Sequence, residues 1–125
     1  MRVVDSSAWV EWLTKSVAGS RLAAEIPPRD QCIVPTIVQL ELSKWLARER
    51  DDEAVDGFIA YTARCIVVPL DTVLARRAAE ISAALKLATA DAIIYATAER
   101  HNADILTCDA HFKGLERVVY IDKKD

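Results

Sequence analysis

Arg2-Val3-Val4-Asp5-Ser6-Ser7-Ala8-Trp9 decides how the chain is read. Arg2 to Val4 has the apolar character of a short buried strand. Asp5 stands where that strand ends, and Ser7 is placed to cap a helix running to about Leu13. A carboxylate at the carboxyl end of a buried strand loses hydration, which disfavours its charged form. Such a residue has either a tight set of hydrogen-bond donors or a ligand.

Outward from this stretch, short apolar runs alternate with amphipathic ones. Strands are expected at Cys32 to Val34, closed by Pro35, at Ile66 to Val68, ended by Pro69, at Ile105 to Thr107 and at Val118 to Ile121. Helices are expected between them: about 18–25, then 36–50 opened by a Thr36-x-x-Gln39 capping box, then a helix capped by Asp51, one capped by Asp71 to about Lys86, and one capped by Thr89 to about Asn102. A short helical turn over 110–113 ends at Gly114, which suits a left-handed cap. Short all-apolar strands separated by helices indicate a parallel sheet covered on both faces. The expected class is α/β: a doubly wound α/β/α sandwich of about five short strands, as a single domain over 1–125. Ligands in such sheets bind at the carboxyl ends of the strands where the winding reverses. If strands one and four are neighbours there, Asp5 and Asp109 face one crevice.

An apolar fraction of 52% with 28% charged residues is that of a folded globular chain. The N-terminus has one Arg, then Asp5, and no cleavage site, so it does not read as a signal peptide; no run approaches the ~18 apolar residues of a membrane span, and a cytoplasmic location and no membrane partner are expected. Cys32, Cys65 and Cys108 are widely separated and form no CxxC pair; they are read as buried small hydrophobes. A net charge of −3 disfavours nucleic-acid binding through bulk charge and leaves open binding through cations and a local basic patch.

The chain holds 19 acidic residues, so local context must sort them. Most lie in polar runs such as Arg48-Glu49-Arg50-Asp51-Asp52-Glu53. Four do not: Asp5 after Val-Val, Glu41 in Ile37-Val38-Gln39-Leu40-Glu41-Leu42, Asp91 in Ala88-Thr89-Ala90-Asp91-Ala92-Ile93-Ile94, and Asp109 after Ile105-Leu106-Thr107-Cys108. Each has a structural explanation: a helix dipole for Asp91, an N-cap for Asp109, turn amides for Asp5, a Lys44 pairing for Glu41. Together, at separations of ~5 Å, they would repel by about 3 kcal/mol per pair at an effective dielectric of about 20. Coexistence then requires protonation or a divalent cation. Oxygen ligands without Cys or His nearby point to Mg²⁺ or Mn²⁺, the metals of phosphate chemistry.

Four motifs in order also resemble a known family: Val3-Val4-Asp5-Ser6-Ser7-Ala8-Trp9, Val38-Gln39-Leu40-Glu41-Leu42, Ala90-Asp91-Ala92-Ile93-Ile94-Tyr95-Ala96, and Leu106-Thr107-Cys108-Asp109-Ala110-His111-Phe112. Over essentially its whole length the chain resembles PIN-domain ribonucleases, most closely VapC-type toxins of toxin–antitoxin pairs. The resemblance implies that Asp5, Glu41, Asp91 and Asp109 bind one or two Mg²⁺ or Mn²⁺ ions, with Ser7 and Thr107 supporting them through their hydroxyls. It implies hydrolysis of RNA phosphodiester bonds, a VapB-type antitoxin whose C-terminal tail covers the site, and a homodimer. Many relatives carry a Gly shortly before the third acid; here Leu85-Lys86-Leu87-Ala88-Thr89 stands in its place, so that loop is expected to turn differently.

Lys44 and Arg48 follow Glu41 at i+3 and i+7 on one helix face, and Lys86 precedes the Asp91 loop; these are the candidate RNA-phosphate contacts. His111 is expected to be exposed or a helix-end partner, His101 structural, and Trp9, Trp12 and Trp45 packed in the core or a subunit interface. Two other readings compete with the nuclease. A receiver-type phosphoacceptor needs an acceptor Asp after strand three, where only Asp71 stands. A non-catalytic PIN-like module would bind RNA or a partner without cleaving.

Overall fold

The computed structural model describes residues 1–124. The elements run β1 (Arg2–Val4), α1 (Ser6–Leu13), α2 (Val17–Glu25), β2 (Cys32–Pro35), α3 (Thr36–Glu49), α4 (Asp52–Thr62), β3 (Ile66–Val68), α5 (Thr72–Leu85), α6 (Thr89–Arg100), β4 (Asp104–Thr107) and β5 (Val118–Tyr120). Two 3₁₀ turns lie at Arg29–Gln31 and Ala110–Phe112.

All neighbouring strands pair in parallel, in the order β3-β2-β1-β4-β5. The chain therefore winds outward from β1 to β3, returns, and winds the other way through β4 and β5. Right-handed crossovers put the two halves' helices on opposite faces. Accordingly α1 packs on α2 and α3, α3 packs on α4, and α5 packs on α6. The expected α/β doubly wound fold stands, and β1 and β4 are neighbours where the winding reverses.

The strands supply the centre of the core. Val3, Val4, Ile33, Val34, Ile105 and Leu106 are fully buried, as a parallel sheet covered on both faces requires. Trp9 is also fully buried and meets the ring of Phe58 edge-on at 5.3 Å, tying α1 to α4. Trp12 and Trp45 are half-buried at the edge of this core. Cys32 and Cys108 are buried as expected, whereas Cys65 is only half-buried. No single helix among the described residues is long and apolar enough to cross a membrane.

Asp51 and Asp71 cap their helices as read from sequence, accepting the amides of Ala54 and Leu74 at 2.8 Å each. Three other cap assignments are corrected. The N-cap positions of α1, α3 and α6 belong to Asp5, Pro35 and Ala88, and none of the three makes a side-chain cap bond. Ser7, Thr36 and Thr89 lie inside the first turn, and Gln39, instead of closing a capping box, donates to Thr62 Oγ1 at 3.1 Å. The loop before Asp91 does make a left-handed turn, at Lys86 (φ 57°), with Ser82 Oγ donating to the Leu87 carbonyl at 2.7 Å to hold it. The conformation that glycine favours is thus adopted by a lysine.

Helices α1 and α2 meet at Gly19. A Cβ there would stand 2.6 Å from the backbone oxygen of Glu11. Gly19→Ala should therefore push α2 off α1 and lower stability by roughly 1–3 kcal/mol, read as a reduced urea midpoint. Gly57, which faces open space, is the matched control: Gly57→Ala should hold or gain.

Candidate active site

In a parallel sheet, residues that follow strands collect at one edge. Asp5 follows β1, Asp109 follows β4 after one residue, and α3, rising directly from β2, carries Glu41 in its second turn. Asp91, in the first turn of α6, approaches from the other face.

Asp5 is 3% exposed. Its Oδ2 accepts the Thr107 hydroxyl at 2.7 Å and the Ser7 hydroxyl at 2.8 Å. Each hydroxyl is itself oriented by an amide: Cys108 N–H donates to Ser7 Oγ at 3.0 Å, and Asp109 N–H to Thr107 Oγ1 at 2.9 Å. The backbone leaving β4 thus aims two hydroxyl protons at one oxygen of the carboxylate that ends β1. Burial nevertheless pushes the Asp5 carboxyl above its usual range; the hydroxyls and the Ser6 amide oppose that shift, and Asp109 adds to it. Ser7 and Thr107, expected to support the site, both contact Asp5.

Glu41 is half-buried and its Oε1 accepts the Ser6 hydroxyl at 2.7 Å. Its expected pairing with Lys44 does not form; Lys44 is exposed on α3. Asp109 caps the 3₁₀ turn, accepting His111 N–H at 2.9 Å. Asp91 is pushed up to about 6, by burial first and then by the charges of Asp109 and Asp5, with Glu41 a smaller contribution and His111 opposing. The helix dipole that favours a first-turn carboxylate is outweighed. Asp91 therefore senses all three other acids, and the four carboxylates drawn from distant parts of the chain share one electrostatic neighbourhood.

The reading that no histidine lies nearby is corrected. His111 Nδ1 is 3.1 Å from Asp109 Oδ1 and 3.9 Å from Asp91 Oδ2, and one ligating atom from each of the three residues lies within 4.8 Å of the others. Its side chain is 80% exposed, as expected from the sequence. Ser6 was also missed. The signal for both was slight: a second serine directly after Asp5, and a histidine two residues beyond Asp109.

The donor set suits a small hard cation: carboxylate oxygens held by hydroxyls, with one imidazole nitrogen at the rim. Two of the candidate phosphate contacts, Lys44 and Lys86, are exposed without a carboxylate partner among the described residues, whereas Arg48 is engaged by neighbouring Glu49 at 3.0 Å. The phosphoacceptor reading has no acceptor to use. Asp71, after β3, is capping α5 and holds Arg100 at 2.9 Å.

A family model described as PIN domain matches residues 2–118. Sequence comparison with curated proteins finds no match. Among solved structures the chain is similar to the toxin–antitoxin complex from Klebsiella pneumoniae, with a TM-score of 0.81 and 19% identity over 95% of this chain and 96% of that one. It is similar to FitAcB from Neisseria gonorrhoeae, with a TM-score of 0.72 and 20% identity over 99% of each chain. It is also similar to Mycobacterium tuberculosis VapC20, described as a sarcin–ricin loop cleaving toxin, with a TM-score of 0.72 and 18% identity over 93% and 95%. These identities establish the shared fold.

Proposed function

This chain belongs to the PIN domain family, and from that premise we propose that it is a divalent-cation-dependent endoribonuclease, the toxin of a toxin–antitoxin pair. The observation that carries the reading is the convergence of Asp5, Glu41, Asp91 and Asp109 on the β1–β4 edge, with Asp91 pushed up to about 6 by burial and by the other acids. Carboxylates that raise one another's proton affinity are a site built for positive charge.

Asp5, Glu41, Asp91 and Asp109 would hold Mg²⁺ or Mn²⁺. A cation there would lower the pKa of a bound water and offset charge on the phosphoryl oxygens. The chain's own part is positional. Ser7 and Thr107 fix the rotamer of Asp5, Ser6 fixes Glu41, and the 3₁₀ turn fixes Asp109. Lys44, Arg48 and Lys86 are the expected contacts to flanking phosphates. An antitoxin covering this acidic edge and a second copy of the chain are the expected protein partners; relatives solved as toxin–antitoxin complexes support the first. A cytoplasmic site of action follows from that role. The non-catalytic alternative is disfavoured because no acid of the quartet is missing.

The test is RNA cleavage by protein stripped of metal and then resupplied. Cleavage should return with Mg²⁺ and with Mn²⁺ and stay absent in EDTA. Calorimetry should find Mn²⁺ binding more tightly than Mg²⁺, because the His111 nitrogen suits Mn²⁺ better. Cleavage that persists in EDTA would remove the reading.

A further inference from the structure

Beside the acidic centre lies a groove of about 540 Å³ that shares Ser7, Asp109 and His111 with it and is also lined by Tyr120, Lys123 and Lys124. Its position follows from the topology. β5 is parallel to β4, so the chain that leaves β5 emerges at the same edge as Asp109. Ile121 N–H donates to the Thr107 carbonyl at 2.9 Å, which extends the ladder one residue and pins the segment beside the residue that orients Asp5. Arg21 of α2 reaches across and donates to the Asp122 carbonyl at 2.7 Å.

The groove thus sets two adjacent lysines beside the acidic centre, with Arg21 and Lys113 close by. Among the described residues Lys123 and Lys124 have no carboxylate within ion-pair distance, although Asp122 and Asp109 line the same groove. Lys113 stands over the Tyr120 ring with Nζ 5.6 Å from its centroid. Burial pushes the Cys108 thiol at the groove's inner end up to about 11, and Lys123 and Arg21 stand close enough to oppose that shift. In a chain of net charge −3 whose catalytic edge is acidic, a polyanion needs cations close to the centre to be held there.

We propose that this groove seats the phosphates of single-stranded RNA on the β5 side of the cleavage centre, with Lys123 and Lys124 as the phosphate partners and Arg21 as the residue that positions their segment. The proposal rests on the ribonuclease reading and adds a strand path to it. RNA is favoured over a protein partner because the groove includes Asp109 of the acidic centre and, among the described residues, two lysines without a carboxylate partner. The α3 face carrying Lys44 then serves the phosphates on the other side.

The test is anisotropy of a fluorescent single-stranded RNA bound to the Asp5→Asn protein in Mg²⁺, with and without Lys123→Ala and Lys124→Ala. The double replacement should lower the magnitude of the slope of log K against log salt by about 1.4, at roughly 0.7 per phosphate on a single strand. Lys123→Arg with Lys124→Arg should restore it. Mn²⁺ binding, measured by calorimetry, should be the same in all of these proteins. An unchanged slope in an RNA-binding parent overturns the groove and leaves its cations to a protein partner. A parent that binds no RNA overturns both the groove and the ribonuclease reading.

Discussion

Asp5→Asn is expected to abolish RNA cleavage while leaving the fold intact. On the proposed reading Asp5 would hold the cation, and its removal should cost on the order of 10²–10³ in rate or more. The structural cost should be small or negative. Asp5 is 3% exposed, and burial raises its carboxyl above the usual range, so the charged form is unfavourable in the metal-free protein. Asn keeps an oxygen where the Ser7 and Thr107 hydroxyls converge and removes the charge. In EDTA the Asn variant should melt at or above the wild-type temperature. Asp5→Ala separates the two roles: it should be equally inactive but less stable by about 1–3 kcal/mol, because two aimed hydroxyl donors lose their acceptor. Wild-type cleavage by the Asn variant would show that Asp5 is a structural carboxylate only.

The contrast between what was legible in the chain and what was not follows the range of the interactions. Strand and helix identity is a local pattern, and the alternation of runs such as Ile66-Val67-Val68 with amphipathic segments carried the α/β class. Asp51 and Asp71 were legible as caps because each precedes its helix with an acceptor three residues from a free amide. Ser7, Thr36 and Thr89 have the same chemistry but stand one or two residues too late. Asp5, Pro35 and Ala88 carry the extended backbone that defines the cap position, so the hydroxyls fall inside the first turn. Ser7 is then released for its contact with Asp5 and with Cys108, 101 residues away. Contacts of this kind, like Ser6 with Glu41 and His111 with Asp91, depend on strand order. The apolar pattern of a strand says that it is buried but not which strand lies beside it. The four acids were legible because a charge in an apolar context is anomalous locally; their supporting hydroxyls are ordinary residues in ordinary places.

The acidic centre should also make stability depend on pH in a direction opposite to that of a salt-bridged protein. Asp91 has a folded pKa of about 6 against an ordinary value of 3.8. The folded state therefore holds a proton that the unfolded chain has released. Below about pH 4 both states are protonated and there is no penalty. As pH rises from about 4 to 6 the penalty accumulates, and above 6 it is fully present. Asp5, raised by its burial, acts in the same sense. Asp109, Asp5 and Glu41 face Asp91 and strengthen the effect, and His111 weakens it. Asp71 and Glu99, held low by Arg100 and Arg77, act in the other sense, but their window lies below their ordinary values of 3.8 and 4.5. Metal-free protein should therefore lose melting temperature between pH 4.5 and 6.5. On the proposed reading a divalent cation would take the place of the proton, so its stabilisation should grow across the same interval. Thermal unfolding in EDTA and in saturating Mn²⁺ at pH 5 and pH 7.5 measures both. The Mn²⁺-induced rise should be larger at pH 7.5 by about 5 °C, the shift that roughly 1 kcal/mol produces in a chain of this size. Asp91→Asn should flatten the metal-free profile and shrink the Mn²⁺ effect together, because one carboxylate is the source of both. If the Mn²⁺ shift is equal at the two pH values, the proton and the metal do not compete for Asp91, and the cation is held elsewhere.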